Sequence, residues 1–515
     1  MAGFPLTGYD PADPIPGIIR EIRFAQGVSS SPSKQRKVVL LGNKASTGSE
    51  TVDTFGSAIV GDDDCIQRFG RKSEIYLGYK SYVSINKSAT IHAIAVPEGT
   101  GTASRLITFA VGPASKPSAA KISCIGEEVQ VPIATGDTFG DVRDAAVAKI
   151  NEQLDWPMTA VATANPGELR VDAVNAGRRH EWVINSVRAS FTVPCTLTVT
   201  AAAIVAAATD DDMGNAIDAL RGEEIYYQVS GKTNPLAPGL AATAPTPADG
   251  GIGEHVAMIN DQALPANSKG QQVFFAALGT QGDLTAVASN ANVNAVRCKI
   301  FHAENNDWTP MMIAAHCAAA HRAKEIAHPG ANMTDYGLDE GEVFQIPPPY
   351  LAADKPTESE IRADLNNGGT PIDWKSNGQA YFVRSITTRS LNGNFNDYRA
   401  REGHIPSAID YYWETLFIRY FTSKQDFVAD DPASGMPPLP NTQYPSALVR
   451  LHSKVIDDLI NFTGGPVLDP TFQQQMKDTF AVVRLTDGLS ARSQPIAVKH
   501  NNRACFLIEE SSTAY

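Results

Sequence analysis

Strand-like runs at both ends of the chain, each without a local partner, constrain this 515-residue sequence more than any other feature. At the amino end Gly17-Ile18-Ile19-Arg20-Glu21-Ile22-Arg23-Phe24 follows a proline-punctuated start and precedes a polar spacer, Ser29 to Ser33. At the carboxy end Pro495-Ile496-Ala497-Val498-Lys499 and Ala504-Cys505-Phe506-Leu507-Ile508-Glu509 are two further runs of the same kind. An isolated strand leaves its backbone donors and acceptors unpaired, and one tethered by a flexible spacer cannot bury itself. Each run therefore needs a sheet edge that belongs to something else, so residues 1–34 and 493–515 read as arms.

Between the arms the texture changes twice. Residues 35–97 alternate strand and helix signals: Val38 to Leu41, a helix-prone stretch from Ile66 to Tyr82, and Ile91 to Val96. From 98 to 224 short Val, Ile and Thr runs separated by Gly, Pro and Asn predict a β-rich insertion, with strands at Leu106 to Val111, Ala120 to Ile125, Glu128 to Ile133, Ala160 to Ala164, Leu169 to Ala173 and Phe191 to Ala201. One helix interrupts it, from Asp137 to Gln153, with Asp137 or Thr138 as its cap. Over 225–356 the α/β texture returns, with strands at Ile225 to Val229, Val256 to Ile259, Val273 to Leu278 and Arg297 to Phe301. Thr309 to His328 reads as a helix with Thr309 as cap, Pro310 at its first position and Pro329-Gly330 stopping it. In 357–492, Thr357-Glu358-Ser359-Glu360 is a capping-box start, and helices follow from Tyr444 to Phe462 and from Pro470 to Ala481. The expected class is a multidomain α/β (α+β) chain: a discontinuous core, a β-rich insertion and extended terminal arms.

Length agrees, since a single hydrophobic core stops growing at roughly 250–300 residues. With 43% hydrophobic and 19% charged residues the composition is that of a globular chain, and the longest apolar run, Leu197 to Ala208, is shorter than the roughly 20 residues a span requires. Direct membrane insertion is not expected. Met1 to Pro16 lacks a basic region followed by an apolar stretch, so synthesis in a cytoplasm is expected. A net charge of -13 argues against binding nucleic acid, which needs clustered Lys and Arg. The charge is uneven: 17–44 is basic, and 209–254 is acidic through Asp210, Asp211, Asp212, Asp218, Glu223, Glu224, Asp249 and Glu254. Such asymmetry suits head-to-tail contacts between copies; the alternative is two solvated faces.

The last third of the chain carries the pattern that points to a role. Gly378-Gln379-Ala380-Tyr381-Phe382-Val383-Arg384-Ser385-Ile386-Thr387-Thr388 alternates like a strand, Asp397-Tyr398-Arg399 follows in a loop, and Ile405 to Phe421 is an aromatic-rich run in which Ile409, Trp413, Phe417 and Tyr420 share a helix face. This strand, loop and helix resemble the carboxy-terminal core of contractile tail sheath proteins, particularly those of Mu-like phages. Earlier stretches match in order: the amino-terminal arm, Gln35-Arg36-Lys37-Val38-Val39-Leu40-Leu41-Gly42, Phe69-Gly70-Arg71-Lys72-Ser73 and Ile91 to Pro97.

The resemblance implies a structural subunit that stacks as hexameric rings in a helical sheath around a tail tube. It contracts to drive the tube through a bacterial envelope. Implied partners are other copies of the chain, the tail tube protein, and baseplate and tail terminator proteins, in a virion assembled in a host cytoplasm. It assigns the arms to completing a sheet in a neighbouring subunit, with Ile18, Ile22, Phe24, Ile496, Val498, Phe506 and Ile508 making the contacts. The spacer Ser29 to Ser33 and the region Ser490 to Ser493 would be hinges. No catalytic residue, metal or cofactor is expected.

The residue chemistry offers few alternatives. The six cysteines, Cys65, Cys124, Cys195, Cys298, Cys317 and Cys505, show no C-x-x-C spacing; they read as reduced, buried small hydrophobes, or as bridges between subunits once a particle leaves the cell. Cys317, His321 and His328 share a helix face, but a tetrahedral metal site needs a fourth ligand. His302-Ala303-Glu304 lacks a following P-C-x-x-C and reads as a strand end. Asp62-Asp63-Asp64 reads as a solvated loop, and Gly250-Gly251-Ile252-Gly253 lacks dinucleotide-loop spacing. The competing functions are a tail tube or other virion protein, and a cytoplasmic α/β enzyme using the Cys317 face.

Overall fold

The computed structural model describes residues 37–263, 270–329, 345–390, 403–422, 427–428, 430–434, 436–437, 442–463, 465–485 and 488–492. Both arms, with Ile18, Ile22, Phe24, Ile496, Val498, Phe506, Ile508 and Cys505, lie outside these residues, as do the Ser29 to Ser33 spacer and the Asp397-Tyr398 loop. The described chain is α/β and forms two compact units, one from residues 37–323 and 345–403, the other from 324–329 and 404–492.

The first unit is built on a seven-stranded sheet. Its chain enters at β1 (Val38–Asn43), makes helices α1 (Asp62–Phe69) and α2 (Glu74–Ile85), and returns as β2 (Ile91–Val96), parallel to β1. The helix-prone stretch from Ile66 to Tyr82 is divided between two helices, because Gly70 takes a φ of +84° and Ser73 caps α2 by accepting from Tyr76 N–H.

After β2 the chain leaves the sheet. Strands β3 (Ser104–Ala110), β4 (Ser118–Cys124), β5 (Glu127–Ile133), β6 (Met158–Ala162), β7 (Glu168–Ala173), β8 (Arg188–Phe191) and β9 (Thr198–Ala201) form a four-stranded sheet in the order β6-β7-β3-β9 and a three-stranded one in the order β5-β4-β8. Phe191 to Ala201, read as one strand, is the end of one and the start of another, broken around Pro194. Helix α3 (Phe139–Glu152) opens with a capping box between Thr138 and Asp141 and buries Val142, Ala146 and Ile150. A short helix α4 (Glu181–Asn185) follows β7. These elements enclose a core of their own, around Ile107, Phe109, Ile122, Val131, Trp156 and Leu169.

The chain then rejoins the large sheet through α5 (Gly214–Ala219), β10 (Tyr227–Ser230), α6 (Ile252–Gln262), β11 (Gln272–Ala277), α7 (Gln281–Ala288), β12 (Cys298–His302), α8 (Pro310–Ala327), α9 (Glu358–Asn367), β13 (Thr370–Trp374) and β14 (Ala380–Phe382). The order is β14-β13-β12-β11-β10-β1-β2, parallel except for the β13–β14 pair. Side chains alternate between two helix-covered faces. Val38, Leu40, Val229 and Phe274 pack with α2 and α8, while Val39, Leu41, Phe275 and Ile300 pack with α5, α6 and α7. Strands buried on both faces read as unbroken apolar runs, which is why Val256 to Ile259 was misread as one. It lies in α6, whose start Asp249 holds by accepting from the N–H groups of Gly251, Gly253 and Glu254.

The strand expected from Gly378 to Ser390 ends at Phe382. Beyond it the hydroxyls replace ladder bonds: Ser385 Oγ lies 2.8 Å from His321 Nε2, and Thr388 Oγ1 bonds the carbonyls of Val293 and Ala295.

In the second unit, α10 (Ile405–Thr422), β15 (Phe427–Val428), β16 (Thr442–Gln443), α11 (Pro445–Ile460), α12 (Gln473–Asp478) and the hairpin β17 (Ala481–Leu485) with β18 (Gly488–Arg492) follow in order. The buried face of α10 is Ile405, Ala408, Tyr412 and Leu416, with Ile409 and Trp413 only partly buried beside it. The stripe is thus offset by one position from the expected one, since its partners Leu448, Val455 and Leu459 of α11 select which side is covered. The segment read as one helix from Pro470 to Ala481 is a 3-10 turn and the six-residue α12. Ser490, read as part of a hinge, pairs with Val483 inside the β17–β18 hairpin.

Candidate functional site

Most residues singled out by chemistry are absorbed by the fold. Cys65, Cys124, Cys298 and Cys317 are free and buried, and Cys195 is partly exposed. Burial pushes the thiols of Cys65, Cys124 and Cys298 up to about 12, which keeps them protonated and unreactive. Cys317 sits in the core beneath the large sheet. His321 faces Ser385, and His328 Nε2 is 2.9 Å from the Gly465 carbonyl. Among the described residues no group of three or more His, Cys, Asp or Glu side chains is placed to hold a metal ion. Asp62, Asp63 and Asp64 form the first turn of α1 rather than a loop, where the helix dipole favours acids; Asp64 accepts from Val60 N–H at 2.9 Å.

The built polar site lies where the strand order reverses. β1 leads to β2 on one side, and the rest of the sheet continues through β10 on the other. In open parallel sheets the crevice outside the carboxyl ends at such a point is where ligands bind. Here those ends are Asn43 of β1, and Ser230, Gly231 and Lys232 at β10. Glu74, the first residue of α2, reaches between them. A Cβ on Gly231 would stand 1.9 Å from its Oε1 and one on Gly42 2.9 Å from its Oε2, so glycine at both positions opens the space for the carboxylate.

The crevice is filled by Arg179, which the excursion between β2 and β10 supplies just before α4. Its side chain is 1% exposed, and its Nη2 lies 2.7 Å from Glu74 Oε2, 3.1 Å from Asp211 Oδ2 and 2.9 Å from Asn43 Oδ1. Next to it, His180 Nε2 donates to Asn43 Oδ1 at 2.6 Å, and Lys232 Nζ pairs with Asp210 Oδ2 at 3.0 Å. A cavity of about 10 Å³ beside Glu74, Asn175, Arg179 and Thr309 is the size of a single water. Burial, together with the Arg179 charge, lowers the His180 imidazole to about 3, so it is neutral and donates from Nε2. Burial raises the Glu74 carboxyl despite Arg179 and the Asn43 N–H that stabilise its anion.

Sequence reading missed this site. Asp210 and Asp211 were counted as part of an acidic surface, whereas Asp211 is 5% exposed and both face Arg179 and Lys232. Arg179 drew no notice, since nothing within four residues of it is its partner. The one local signal was Asp211 beside the apolar Met213, Ala216 and Ile217.

A second buried ion pair closes the far side of the sheet. His302, at the end of β12, lies with Nδ1 2.7 Å from Asp364 Oδ2 of α9 and Nε2 2.9 Å from the Gly279 carbonyl. With acceptors at both nitrogens the ring is an imidazolium. Burial opposes the charge, but Asp364 and the two hydrogen bonds outweigh it and raise the His302 pKa. A raised histidine contributes its stability fully below its ordinary value of about 6.5 and loses it as pH rises through the folded value. Asp364→Ala should therefore cost about 3–5 kcal/mol near neutral pH, because it strands a buried cation, and less at higher pH, where the imidazole is neutral. Chemical denaturation at several pH values checks this.

No protein-family model matches the sequence, and no curated protein matches it. Among solved structures, one chain from "Cryo-EM structure of the anti-feeding prophage (AFP) baseplate, 6-fold symmetrised" overlaps with a TM-score of 0.38 at 11% identity, over 96% of this chain and 98% of that one. An overlap of that quality decides neither topology nor role. No helix among the described residues is long and apolar enough to cross a membrane.

Proposed function

We propose that this chain is a structural subunit of a contractile tail sheath, polymerising around a tail tube and driving it through a bacterial envelope. The observation that carries the reading is the filled crevice: where a doubly wound sheet would hold a ligand, this chain places its own Arg179 between Glu74, Asp211 and Asn43. A sheet plugged in this way serves as a rigid body. The ordered resemblance running from the amino-terminal arm to the aromatic helix supplies the kind of rigid body it is.

In this reading the partition is the one expected from sequence: arms at 1–34 and 493–515, core at 35–97, 225–356 and 357–492, and the insertion at 98–224. The arms add strands to neighbouring copies through Ile18, Ile22, Phe24, Ile496, Val498, Phe506 and Ile508. Contraction is a change of packing between rigid subunits whose energy is stored at assembly, so no step calls for a cofactor. Its partners are other copies, the tail tube protein, and baseplate and terminator proteins, in a virion. Cys195, the described thiol that reaches solvent, is the one open to bridging between copies.

Electron microscopy of the purified full chain, alone and co-expressed with a cognate tube protein, tests this. Hollow ridged cylinders or stacked rings wide enough to enclose a tube are expected. Dispersed monomers under both conditions would overturn it.

A further inference from the structure

The crevice at the strand-order reversal brings no well-aligned hydrogen-bond donor to Asp211, although Arg179 Nε in the same compartment is itself unpartnered. Two cations, Arg179 and Lys232, face three carboxylates, Glu74, Asp210 and Asp211. Arg179 Nη2 has two hydrogens for three acceptors, and its Nη1 points at Met213 Sδ. Neither oxygen of Asp211 receives a well-aligned hydrogen bond, although Arg179 Nη2 is 3.1 Å from one and Lys232 Nζ 3.8 Å from the other. The Asp210 and Asp211 carboxyls instead meet each other beside one ammonium, Lys232 Nζ, which lies 3.0 Å from Asp210 Oδ2 and 3.8 Å from Asp211 Oδ1. Two carboxylates have no hydrogen to share, so a bond between them needs a proton on one. Burying an unbalanced negative charge is also costly, and one added proton brings these five groups to neutrality.

Other titratable and charged groups face the same compartment, and burial raises the Glu74 carboxyl as well. From β1 the site meets Asn43; from α2, Glu74; from the stretch before α4, Arg178, Arg179 and His180; from the first position of α4, Glu181; from the end of β10, Lys232; and from the outgoing connection, the exposed Glu98. His180 is neutral and already donates to Asn43. Asp212 is turned away, accepting from Gly214 N–H.

These residues are also where the excursion joins the sheet. The outgoing and returning connections run side by side, with Thr209 Oγ1 accepting from Thr100 N–H at 2.9 Å and the Thr100 carbonyl accepting from Ala208 N–H at 2.9 Å. Arg179 comes from the inserted segment, Glu74 from α2, Lys232 from just beyond β10, and Asp210 and Asp211 from the returning connection. We propose that the inserted segment is latched to the α/β sheet by a proton shared between Asp210 and Asp211, and that losing this proton as pH rises loosens the latch. Burial, then the neighbouring Asp210 charge, raises Asp211 against the pull of Arg179, so the proton is held well above the ordinary carboxylate range. The sign follows: a carboxyl raised in the folded state favours that state while protonated and penalises it once ionised. The inference stands apart from the sheath reading.

The test uses the full chain between about pH 6 and 9, a range chosen to bracket a carboxyl raised by burial. Limited proteolysis and hydrogen exchange report the connections at 97–103 and 202–213, and infrared spectroscopy reports the carbonyl band of a protonated carboxyl. Local readouts are needed because His302 also loses stabilisation as pH rises. Expected are a protonated-carboxyl band near pH 6, and opening of the connections that increases by up to about tenfold per pH unit, the limit for one coupled proton. Asp211→Asn, which mimics the protonated state, should abolish both the band and the slope. A wild-type chain with no such band, or connections equally protected across the range, overturns the proposal. So does Asp211→Asn with the wild-type slope; Asp210→Asn and the wild-type infrared spectrum decide the matter if that variant does not fold.

Discussion

Removal of residues 1–34 should leave a folded chain that no longer builds cylinders. The expected size of the effect comes from the backbone. A seven-residue strand such as Ile18 to Phe24 added to a neighbour's sheet makes on the order of five hydrogen bonds, each worth about 1 kcal/mol net. Losing about 5 kcal/mol per contact lowers the association constant by more than three factors of ten, at about 1.4 kcal/mol each. A strand that pairs with a neighbour's sheet leaves its own subunit's core intact, so the melting transition should be unchanged. Electron microscopy and sedimentation of the truncated chain check both halves. Cylinders formed at wild-type concentration would point instead to a tube or capsid type of subunit, whose assembly does not pass through such an arm.

Arg179→Met should be the most damaging single substitution in the first unit. Methionine fills much of the volume but leaves Glu74, Asp210 and Asp211 facing Lys232 alone, with Asn43 Oδ1 short of one donor. Breaking a buried ionic network by removing one partner costs about 3–5 kcal/mol, far above a surface ion pair such as Arg362–Glu358. The loss should shrink in acid, where the stranded carboxylates take up protons, and grow in alkali. Denaturant titration at two pH values measures it. A loss below about 1 kcal/mol, the range of exposed pairs, would show that the network does not hold the unit together. Glu74→Gln in the Arg179→Met background should restore part of the loss, because it removes one of the unpaired charges.

What could be read from sequence was whatever the chain settles within a few residues. Thr138 with Asp141, Thr357 with Glu360, and Thr309 with Pro310 mark helix starts because their hydrogen bonds span three positions. The strands of the large sheet were found where a branched apolar run stands between turn residues, as at Val38 to Leu41, Ile91 to Val96 and Val273 to Leu278. The same rule failed at Val256 to Ile259, because a helix buried against a sheet presents an equally apolar run. It failed again after Phe382, where the fully buried Ser385 and Thr388 bond through their hydroxyls to His321 of α8 and to the Val293 carbonyl rather than continuing the ladder.

The site was barely legible. Arg179 meets Asn43 across 136 residues and Glu74 across 105, and no local pattern tells an aspartate in solvent from one bound for a sealed crevice. By itself, the sequence determined the α/β class and the helix boundaries set by caps, since each rests on short-range hydrogen bonding. Only the tertiary structure decided which strands neighbour one another, which face of α10 is covered, and that Arg179, Glu74, Asp211 and Lys232 share one compartment. Those outcomes depend on which distant surfaces meet, and burial, which sets the charge of every group in that crevice, exists only once they have.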